Sequence, residues 1–260
     1  MVGSMNASEA QPTRQLLERF TAEVGHVVAL EALWAHGSLA LGDYRPGRSD
    51  LDLVALVGAP VSGPQRQQLE ALHRTLISQV PEAAGLHCSY VVRSQLSDTG
   101  RDHVTWAQSR LFERPVTPVS RRELSTGGPA LFGPGPAGIV AEVTDQELAE
   151  FIRGDLKEFW YPASARPSLW QRDIWVDLGL LTLARAAVTL RDGRLITKGQ
   201  ALEVLAAWGA PAEVVRDIHR RRYEAGPHRT SLPWRIRRGR LARVFVRTGI
   251  EDTLAAHPGP

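Results

Sequence analysis

The chain has 260 residues, of which 43% are hydrophobic and 23% are charged, and its formal net charge is +3. This balance is typical of a globular protein with one or two domains, and it excludes a disordered or fibrous chain. The single cysteine excludes an intrachain disulfide, and the sequence has no apolar run of about 18 residues, so we expect a cytoplasmic protein without a membrane segment.

Apolar residues in the first part of the chain alternate between helical and strand spacing. The predicted elements are, in order, a helix over 12–25, a strand over Val27–His36, a strand over Leu51–Val57, a helix over 64–79 and a strand over Leu86–Val92. The stretch 94–138 is rich in Gly and Pro, and we expect irregular structure there with a short strand near Leu131.

The pattern changes near residue 143, where Thr144 is a good N-cap residue for a helix. From there to about Gly249 the apolar spacing is helical, as in the segment WVDLGLLTLARAAVTL. We therefore predict an α/β (α+β) domain over 6–142, with a mixed sheet flanked by helices, and an all-α helical-bundle domain over 143–260.

The basic residues are almost all arginines, and lysine occurs only at Lys157 and Lys198. Arginines are concentrated between Arg216 and Arg247, with acidic residues such as Asp217 among them. Because opposite charges are mixed and no aromatic stacking platform is interleaved, we interpret this stretch as a solvated helix face and do not expect a nucleic-acid partner.

The segment HGSLALGDYRPGRSDLDLVALV places two aspartates, Asp50 and Asp52, at the start of an otherwise apolar strand. Residues two apart in a strand point to the same face, so both carboxylates project together. Adjacent carboxylates repel each other unless a cation neutralises them, and Mg²⁺ takes such ligands together with water and phosphate oxygens. A pair of Mg²⁺ ions on such carboxylates is the arrangement that in-line nucleotidyl transfer uses.

The same segment carries groups that suit phosphate binding. Gly37 and Ser38 offer backbone N–H groups, a hydroxyl and close approach of the backbone, and Ser49 offers a second hydroxyl. The structural alternative is that Asp50 caps a turn and Asp52 is an edge charge. The combination of Gly-Ser, a loop and Ser-Asp-x-Asp in an apolar strand favours the metal site.

This segment resembles the nucleotidyltransferase motif of the DNA polymerase β-like superfamily. It is most similar to the streptomycin/spectinomycin adenylyltransferases, which are bacterial aminoglycoside nucleotidyltransferases. The similarity continues in LLTLARAAVTLRDGRLITK and GGPALFGP, and it spans roughly Leu30 to Tyr223. It implies an antibiotic-resistance type of enzyme that transfers AMP from ATP to a hydroxyl of a small acceptor such as an aminoglycoside.

The resemblance also implies a second group of nucleotide-binding residues. Arg185 and Lys198 match the arginine and the lysine that contact the ATP phosphates in the family, and Tyr223 matches the nucleotide-contacting tyrosine to within one residue. From the residues alone, Arg185 interrupts an apolar helix and would extend to solvent, and Lys198 would be an ordinary surface lysine.

The family's third carboxylate is missing from its expected strand. In the superfamily a glutamate occupies a neighbouring strand, and its position falls on His87 in GLHCSYVV. Either His87 is the base, since the ordinary imidazole pKa of about 6.5 suits proton abstraction, or it is structural in a protein that binds nucleotide with little transfer. The third alternative is a carboxylate from elsewhere, and the nearest in sequence are Glu82, Asp98 and Asp102.

Three residues lie near positions through which the resembling enzymes bind their acceptor, namely Trp106, Asp173 and Asp177. The two carboxylates would attract a polycationic aminoglycoside. Each residue also has a structural alternative, which is core packing for Trp106 and a solvated helix start for the two aspartates.

These residues together predict a metal-dependent adenylyltransferase that uses ATP with two Mg²⁺ ions. We expect a monomer whose partners are a nucleoside triphosphate and a small-molecule acceptor, with no membrane partner. The alternative function, a nucleotide-binding protein or pseudoenzyme, rests on His87. A third hypothesis, nucleotidyl transfer to RNA or protein, rests only on the arginine-rich C-terminal part of the sequence.

Overall fold

The computed structural model describes residues 7–96, 98–224, 226 and 230–259, with side chains from residue 11 onward. The chain divides into two compact units, one ending at Val143 and the other beginning at Thr144. The sequence places the domain boundary one residue earlier. Within the part of the chain that the structure describes, no helix combines the length and the apolar character needed to cross a membrane.

The first unit is built on one mixed sheet. Its strands within the described ranges are β1 (Leu30–His36), β2 (Leu51–Val57), β3 (Leu86–Val92), β4 (Asp102–Ala107), β5 (Arg110–Pro115) and β6 (Ala130–Phe132). They lie in the order β5-β4-β3-β2-β1-β6, with β2 and β3 parallel and the other neighbours antiparallel. The sequence of β2 is almost continuously apolar because this strand is interior to the sheet and covered on both faces.

Helices cover both faces of this sheet. They are α1 (Ala7–Gly25), α2 (Gly37–Ala40), α3 (Gly63–Gln79) and α4 (Pro118–Gly127), with a 3₁₀ turn over Pro81–Gly85 leading into β3. Phe20 of α1 and Leu69 of α3 belong to the core on one face, together with Leu53 of β2. Leu124 of α4 belongs to the core on the other face, together with Val54. Since alternate residues of a strand share a face, Asp52 points to the side of the sheet that α4 covers.

The prediction of irregular structure over 94–138 is wrong for most of that stretch. Strands β4 and β5 form a hairpin there, and its two-residue turn uses Gln108 and Ser109 with φ of 52° and 59°. Hairpin turns with positive φ are usually marked by Asn or Gly, so this turn carries no recognisable sequence signal. Helix α4 begins after Thr117, whose side chain accepts a hydrogen bond from the Ser120 N–H. The short strand expected near Leu131 is confirmed as β6.

The second unit contains helices and no strand within its described residues. The helices are α5 (Asp145–Gly154), α6 (Tyr161–Ser164), α7 (Asp173–Asp192), α8 (Lys198–Ala207), α9 (Ala212–Tyr223) and α10 (Leu232–Ala256), with a π-helical turn over Asp155–Trp160 between α5 and α6. Thr144 is confirmed as an N-cap residue, because its Oγ1 accepts the Glu147 N–H at 3.1 Å. The predicted fold class, an α/β unit followed by an all-α unit, is confirmed.

Candidate active site

Asp52 lies between two histidines on the neighbouring strands. In the antiparallel pairing of β1 and β2 it is opposite His36, and in the parallel pairing of β2 and β3 it is opposite His87. Directly opposite residues of adjacent strands project from the same face. Nδ1 of His87 consequently lies 3.3 Å from Oδ1 of Asp52. The strand order thus brings the predicted residues Asp52 and His87 into contact.

The electrostatic environment of His87 favours its protonated form. Burial lowers the pKa of His87, and the positive charge of Arg114 acts in the same direction. The hydrogen bond to Asp52 and the negative charges of Asp50 and Asp52 outweigh both effects, so the pKa of His87 is raised above its ordinary value. The carboxylate of Asp52 therefore both contacts the imidazole of His87 and raises its pKa.

Gly37 leaves the space that Asp52 occupies at the end of β1. Its φ is +63°, and a Cβ atom built on it would lie 2.7 Å from Oδ2 of Asp52. Both the backbone conformation and the clash exclude a side chain at this position. The Gly-Ser pair of the motif therefore has a geometric reason, which is the close approach of the backbone to the carboxylate.

Glu123 of α4 joins this group, and the sequence analysis did not identify it. The Gly37 N–H donates to Oε2 of Glu123 at 3.0 Å, and Nδ1 of His36 lies 3.1 Å from the same oxygen. The predicted role of the Gly37 N–H was to bind phosphate, but in this structure the N–H bonds to a buried carboxylate. His36 could have been noticed as a polar residue directly before Gly37. Glu123 could not, because 86 residues separate it from Gly37 and α4 itself was not predicted.

Ser49 and Asp50 lie in the loop that enters β2. The Ser49 hydroxyl accepts the Arg45 N–H at 3.0 Å, and the Ser49 N–H donates to the Arg45 carbonyl at 2.8 Å, so Ser49 closes this loop. Asp50 is exposed, and a Cβ atom on Gly85 would lie 3.5 Å from its Oδ1, which places Asp50 beside the turn before β3. Ser38 follows Gly37 in α2 and is partly exposed.

The two aspartates form a donor set that fits a hard divalent cation. Carboxylate oxygens are the protein ligands that Mg²⁺ prefers, and Gly37 lets the backbone approach one of them closely. Among the described residues, no three or more His, Cys, Asp or Glu side chains form a complete cage for a metal ion. At phosphoryl-transfer sites Mg²⁺ usually takes one or two protein carboxylates together with water and substrate phosphates.

The structure separates the three alternative carboxylates of the sequence analysis. Asp102 begins β4 two residues before Val104, which pairs with Tyr90, so it lies at the end of β3 away from His87. Asp98 precedes Asp102, and both charges act on the nearby His103. Neither aspartate belongs to the Asp52 site, and this part of the prediction is wrong.

Glu82 remains an alternative by position. It is exposed in the turn Pro81–Gly85, and this turn enters β3 on the side of Asp50. Its charge and that of Asp50 both raise the pKa of Tyr44, after the larger effect of burial. His87, by comparison, contacts Asp52 directly.

Trp106 lies in the interior of the first unit. Its side chain is completely buried, and its ring stacks on His73 with a centroid distance of 4.6 Å and an interplanar angle of 7°. The geometry therefore favours the core-packing alternative, and we do not propose Trp106 as an acceptor contact.

In the second unit, Arg185, Lys198 and Tyr223 are gathered around the start of α8. Nε of Arg185 donates to the Ile196 carbonyl at 3.0 Å, and Lys198 is the first residue of α8. A Cβ atom on Gly199 would lie 2.9 Å from the Tyr223 hydroxyl. Three residues from three different helices thus meet where the resemblance implies a nucleotide-binding group.

A further arginine and a helix N-terminus lie at the same place. Nε of Arg222 donates to the Tyr223 hydroxyl at 3.2 Å, a contact that the sequence analysis did not predict. Thr197 begins α8 with a reciprocal capping box to Gln200. Cationic side chains beside the positive end of a helix dipole form an environment that suits an anion.

Asp173 and Asp177 are ion-paired within the second unit. Arg221 binds Asp177 and Asp217, and the completely buried Arg238 binds Asp217 at 2.9 Å and Asp173 at 2.5 Å. Burial raises the pKa of Asp177 more than the hydrogen bond and charge of Arg221 lower it. Asp173 still fits the alternative of a solvated helix start, because it is the first residue of α7 and its side chain is 46% exposed. Asp177 does not fit it, because its carboxylate pairs with Arg221 inside the unit.

Comparison with known proteins shows a similarity in one domain and in the overall fold. Residues 14–112 match the family model of the nucleotidyltransferase domain. No curated protein sequence matches the chain. The fold is similar to that of spectinomycin adenyltransferase AAD(9) from Enterococcus faecialis, solved with ATP and spectinomycin, with a TM-score of 0.70 and 12% sequence identity over 91% of this chain and 98% of that chain. Residues 14–112 thus resemble a nucleotidyltransferase domain, and the fold of the chain is similar to that of an aminoglycoside adenylyltransferase.

Proposed function

We propose that the protein is a metal-dependent adenylyltransferase that moves AMP from ATP to a hydroxyl group of a small acceptor. The observation that carries the proposal is the arrangement around Asp52, with Asp50 two residues before it, Gly37 clearing space beside Oδ2 and His87 in contact with Oδ1. A core strand tolerates such a group of polar side chains when they bind a charged ligand.

In the reaction, the acceptor oxygen forms a bond to the α-phosphorus as the bond from that phosphorus to the β-phosphate oxygen breaks. Pyrophosphate leaves, and the hydroxyl proton passes to a base. Mg²⁺ bound by Asp50 and Asp52 would neutralise the phosphate charge. We assign Ser38 and Ser49 to the phosphates by their position beside these carboxylates, and Arg185, Lys198 and Tyr223 to the nucleotide by the resemblance.

His87 is our candidate for the base, because it is the titratable side chain in contact with Asp52 on the strand where the family has a glutamate. It would take the hydroxyl proton in its neutral form, and the negative charges that raise its pKa would stabilise the imidazolium that results. A second candidate function is supported by the same departure. If His87 only neutralises Asp52, the protein would bind MgATP and transfer AMP poorly, as a pseudoenzyme.

The proposed acceptor is a hydroxyl compound of the aminoglycoside class. The similar AAD(9) enzyme was solved with spectinomycin, which supports a small-molecule acceptor. The ion pairs of Asp173 and Asp177 reduce the negative charge that would attract a polycation. To identify the acceptor, we would test spectinomycin, streptomycin, kanamycin and RNA.

We also propose a cytoplasmic location, because the single thiol, Cys88, is free and buried, which fits a reducing compartment.

The test is transfer of label from α-labelled ATP to each member of the panel in the presence of Mg²⁺. We expect labelled product with one class of acceptor. His87→Ala should lower kcat by about a hundredfold or more if His87 is the base, with MgATP binding unchanged. If wild-type protein binds MgATP without transfer and His87→Glu gains transfer, the pseudoenzyme function is correct instead.

A further inference from the structure

Glu123 is a buried carboxylate to which the proposed reaction assigns no role. It lies on α4 with 4% of its surface exposed, and a buried ionised carboxylate is costly unless hydrogen bonds compensate it. Its Oε2 lies 3.0 Å from the Gly37 nitrogen and 3.1 Å from Nδ1 of His36. Both of these partners belong to the turn that joins β1 to α2, so Oε2 of Glu123 is directed at this turn.

That turn determines the space beside Asp52. Gly37 has a left-handed φ of +63°, and its Cβ position is only 2.7 Å from Oδ2 of Asp52. His36, which begins the turn, provides no side-chain cap for α2. The Glu123 carboxylate takes over this function by accepting the first N–H of the helix, and charge-assisted hydrogen bonds of this kind are about twice as strong as neutral ones.

Helix α4 is itself fixed against β1, so it can serve as a rigid support. Leu124, next to Glu123, is buried in the core on this side of the sheet. The Ala35 N–H donates to the Pro129 carbonyl at 3.0 Å, directly after the helix. A Cβ atom on Gly128 would lie 3.0 Å from the Ala35 carbonyl, which shows how closely the end of α4 approaches the strand.

We propose that Glu123 is a positioning residue for nucleotidyl transfer, which holds the His36–Gly37 turn at the distance from Asp52 that the metal–nucleotide complex requires. The inference rests on the proposed function. It also changes the assignment of the phosphate donors, because a carboxylate on the Gly37 N–H repels phosphate there. Ser38 is then the residue of this turn that contacts phosphate.

The test measures binding of Mn²⁺ together with a non-hydrolysable ATP analogue, by electron paramagnetic resonance of the bound ion. Glu123→Ala should weaken binding about 10- to 100-fold, the usual effect of losing a residue that orients a metal ligand. Glu123→Gln keeps an oxygen for the Gly37 N–H and should retain binding to within about threefold. Thr126→Ala is the matched control, because Thr126 is exposed on the same helix and its hydroxyl donates to the Arg122 carbonyl one turn earlier.

A double-mutant cycle tests whether Glu123 acts through the turn. Gly37→Ala should weaken binding on its own, because its Cβ would clash with Asp52 and displace the turn. Gly37→Ala with Glu123→Ala should be no weaker than the weaker single variant, because both changes displace the same turn. Additive losses in the double variant would overturn the proposal. Glu123→Asp serves if Glu123→Ala does not fold, since it keeps the charge and withdraws the carboxylate by one methylene.

The outcomes separate this inference from the proposed function. If Asp52→Asn binds Mn²⁺ and the analogue as the wild type does, the proposed function fails, and the role of Glu123 fails with it. If Asp52→Asn loses binding while folded Glu123→Ala or Glu123→Asp binds as the wild type does, only the positioning role is overturned. A lower unfolding temperature in those variants with unchanged binding would identify Glu123 as structural.

Discussion

At the residue scale, the candidate site depends on polar side chains that neighbouring strands place side by side. Asp52 is held next to His87 by the parallel register of β2 and β3, and Gly37 approaches it from the end of β1. The sequence motif singles out Asp50, Asp52 and Gly37, because their spacing suits a site for a metal and a phosphate, and the structure places Gly37 beside Asp52. It could not predict Glu123, because the contact to Gly37 depends on how α4 packs and not on local spacing.

A second polar residue of the first unit, His73, predicts how stability depends on pH. Burial, with a smaller effect of the charge of His87, lowers the pKa of His73 to about 3. Its ring stacks on Trp106, and its Nε2 lies 2.8 Å from the Tyr90 hydroxyl. The unfolded chain binds a proton on His73 near the ordinary pKa of about 6.5, whereas the folded protein binds it only near pH 3. The contribution of His73 to the free energy of unfolding is therefore complete above about pH 6.5 and is lost as the pH falls towards 3.

We expect this group to reduce the free energy of unfolding by about 2 kcal/mol between about pH 7.5 and about pH 5. Urea unfolding of the wild type and of His73→Gln at both pH values measures it. Other titrating groups contribute equally to both proteins, so the variant should lose about 2 kcal/mol less than the wild type over the same interval. Equal losses would show that His73 is not buried in its neutral form.

At the element scale, the hairpin of β4 and β5 is the part of the sheet that the sequence did not predict. Strand β4 was missed because its surroundings are rich in Gly and Pro and because the turn residues, Gln108 and Ser109, are unusual at positive φ. The helices α3 and α7 were easier to predict, since their apolar spacing is a local signal. Local signals therefore predicted elements, whereas the pairing of β3 with β4 required the tertiary structure.

The strained turn gives a prediction about stability. Replacing Gln108-Ser109 by Asn-Gly should raise the free energy of unfolding by about 1 kcal/mol, because these residues adopt positive φ at lower cost. Urea denaturation provides the measurement. Ser109→Val should have the opposite effect, because a β-branched residue is disfavoured at φ of 59°. If the Asn-Gly variant is less stable than the wild type, the turn does not have the conformation described here.

At the scale of the whole molecule, we propose that two groups of residues, one in each unit, serve nucleotidyl transfer. The first unit holds carboxylates that suit a divalent cation, and the second holds Arg185, Lys198 and Tyr223 at the start of α8. The likeness of the fold to AAD(9) extends over 91% of this chain, at only 12% identity. Fold likeness by itself does not establish an activity, so the chemistry of Asp50 and Asp52 remains the basis of the proposed function.

The arginines of α10 show why a basic composition does not by itself indicate a nucleic-acid partner. Arg238 is completely buried and binds Asp173 and Asp217, and Arg237 pairs with Glu213 at 2.8 Å. These arginines are thus used for pairing within the helical unit. The interpretation of the basic stretch as a solvated helix face is therefore wrong for Arg238, whose side chain is completely buried.

The most direct test of the central claim compares AMP transfer by the wild type, Asp52→Asn and Glu70→Gln, with α-labelled ATP, Mg²⁺ and the acceptor that the panel identifies. Glu70 is exposed on α3 and pairs with Arg74, so Glu70→Gln removes the same charge away from the site. We predict that Asp52→Asn lowers kcat at least about a hundredfold and that Glu70→Gln leaves it unchanged. Transfer by Asp52→Asn at the wild-type rate would contradict the account, because the reaction would then not depend on this carboxylate.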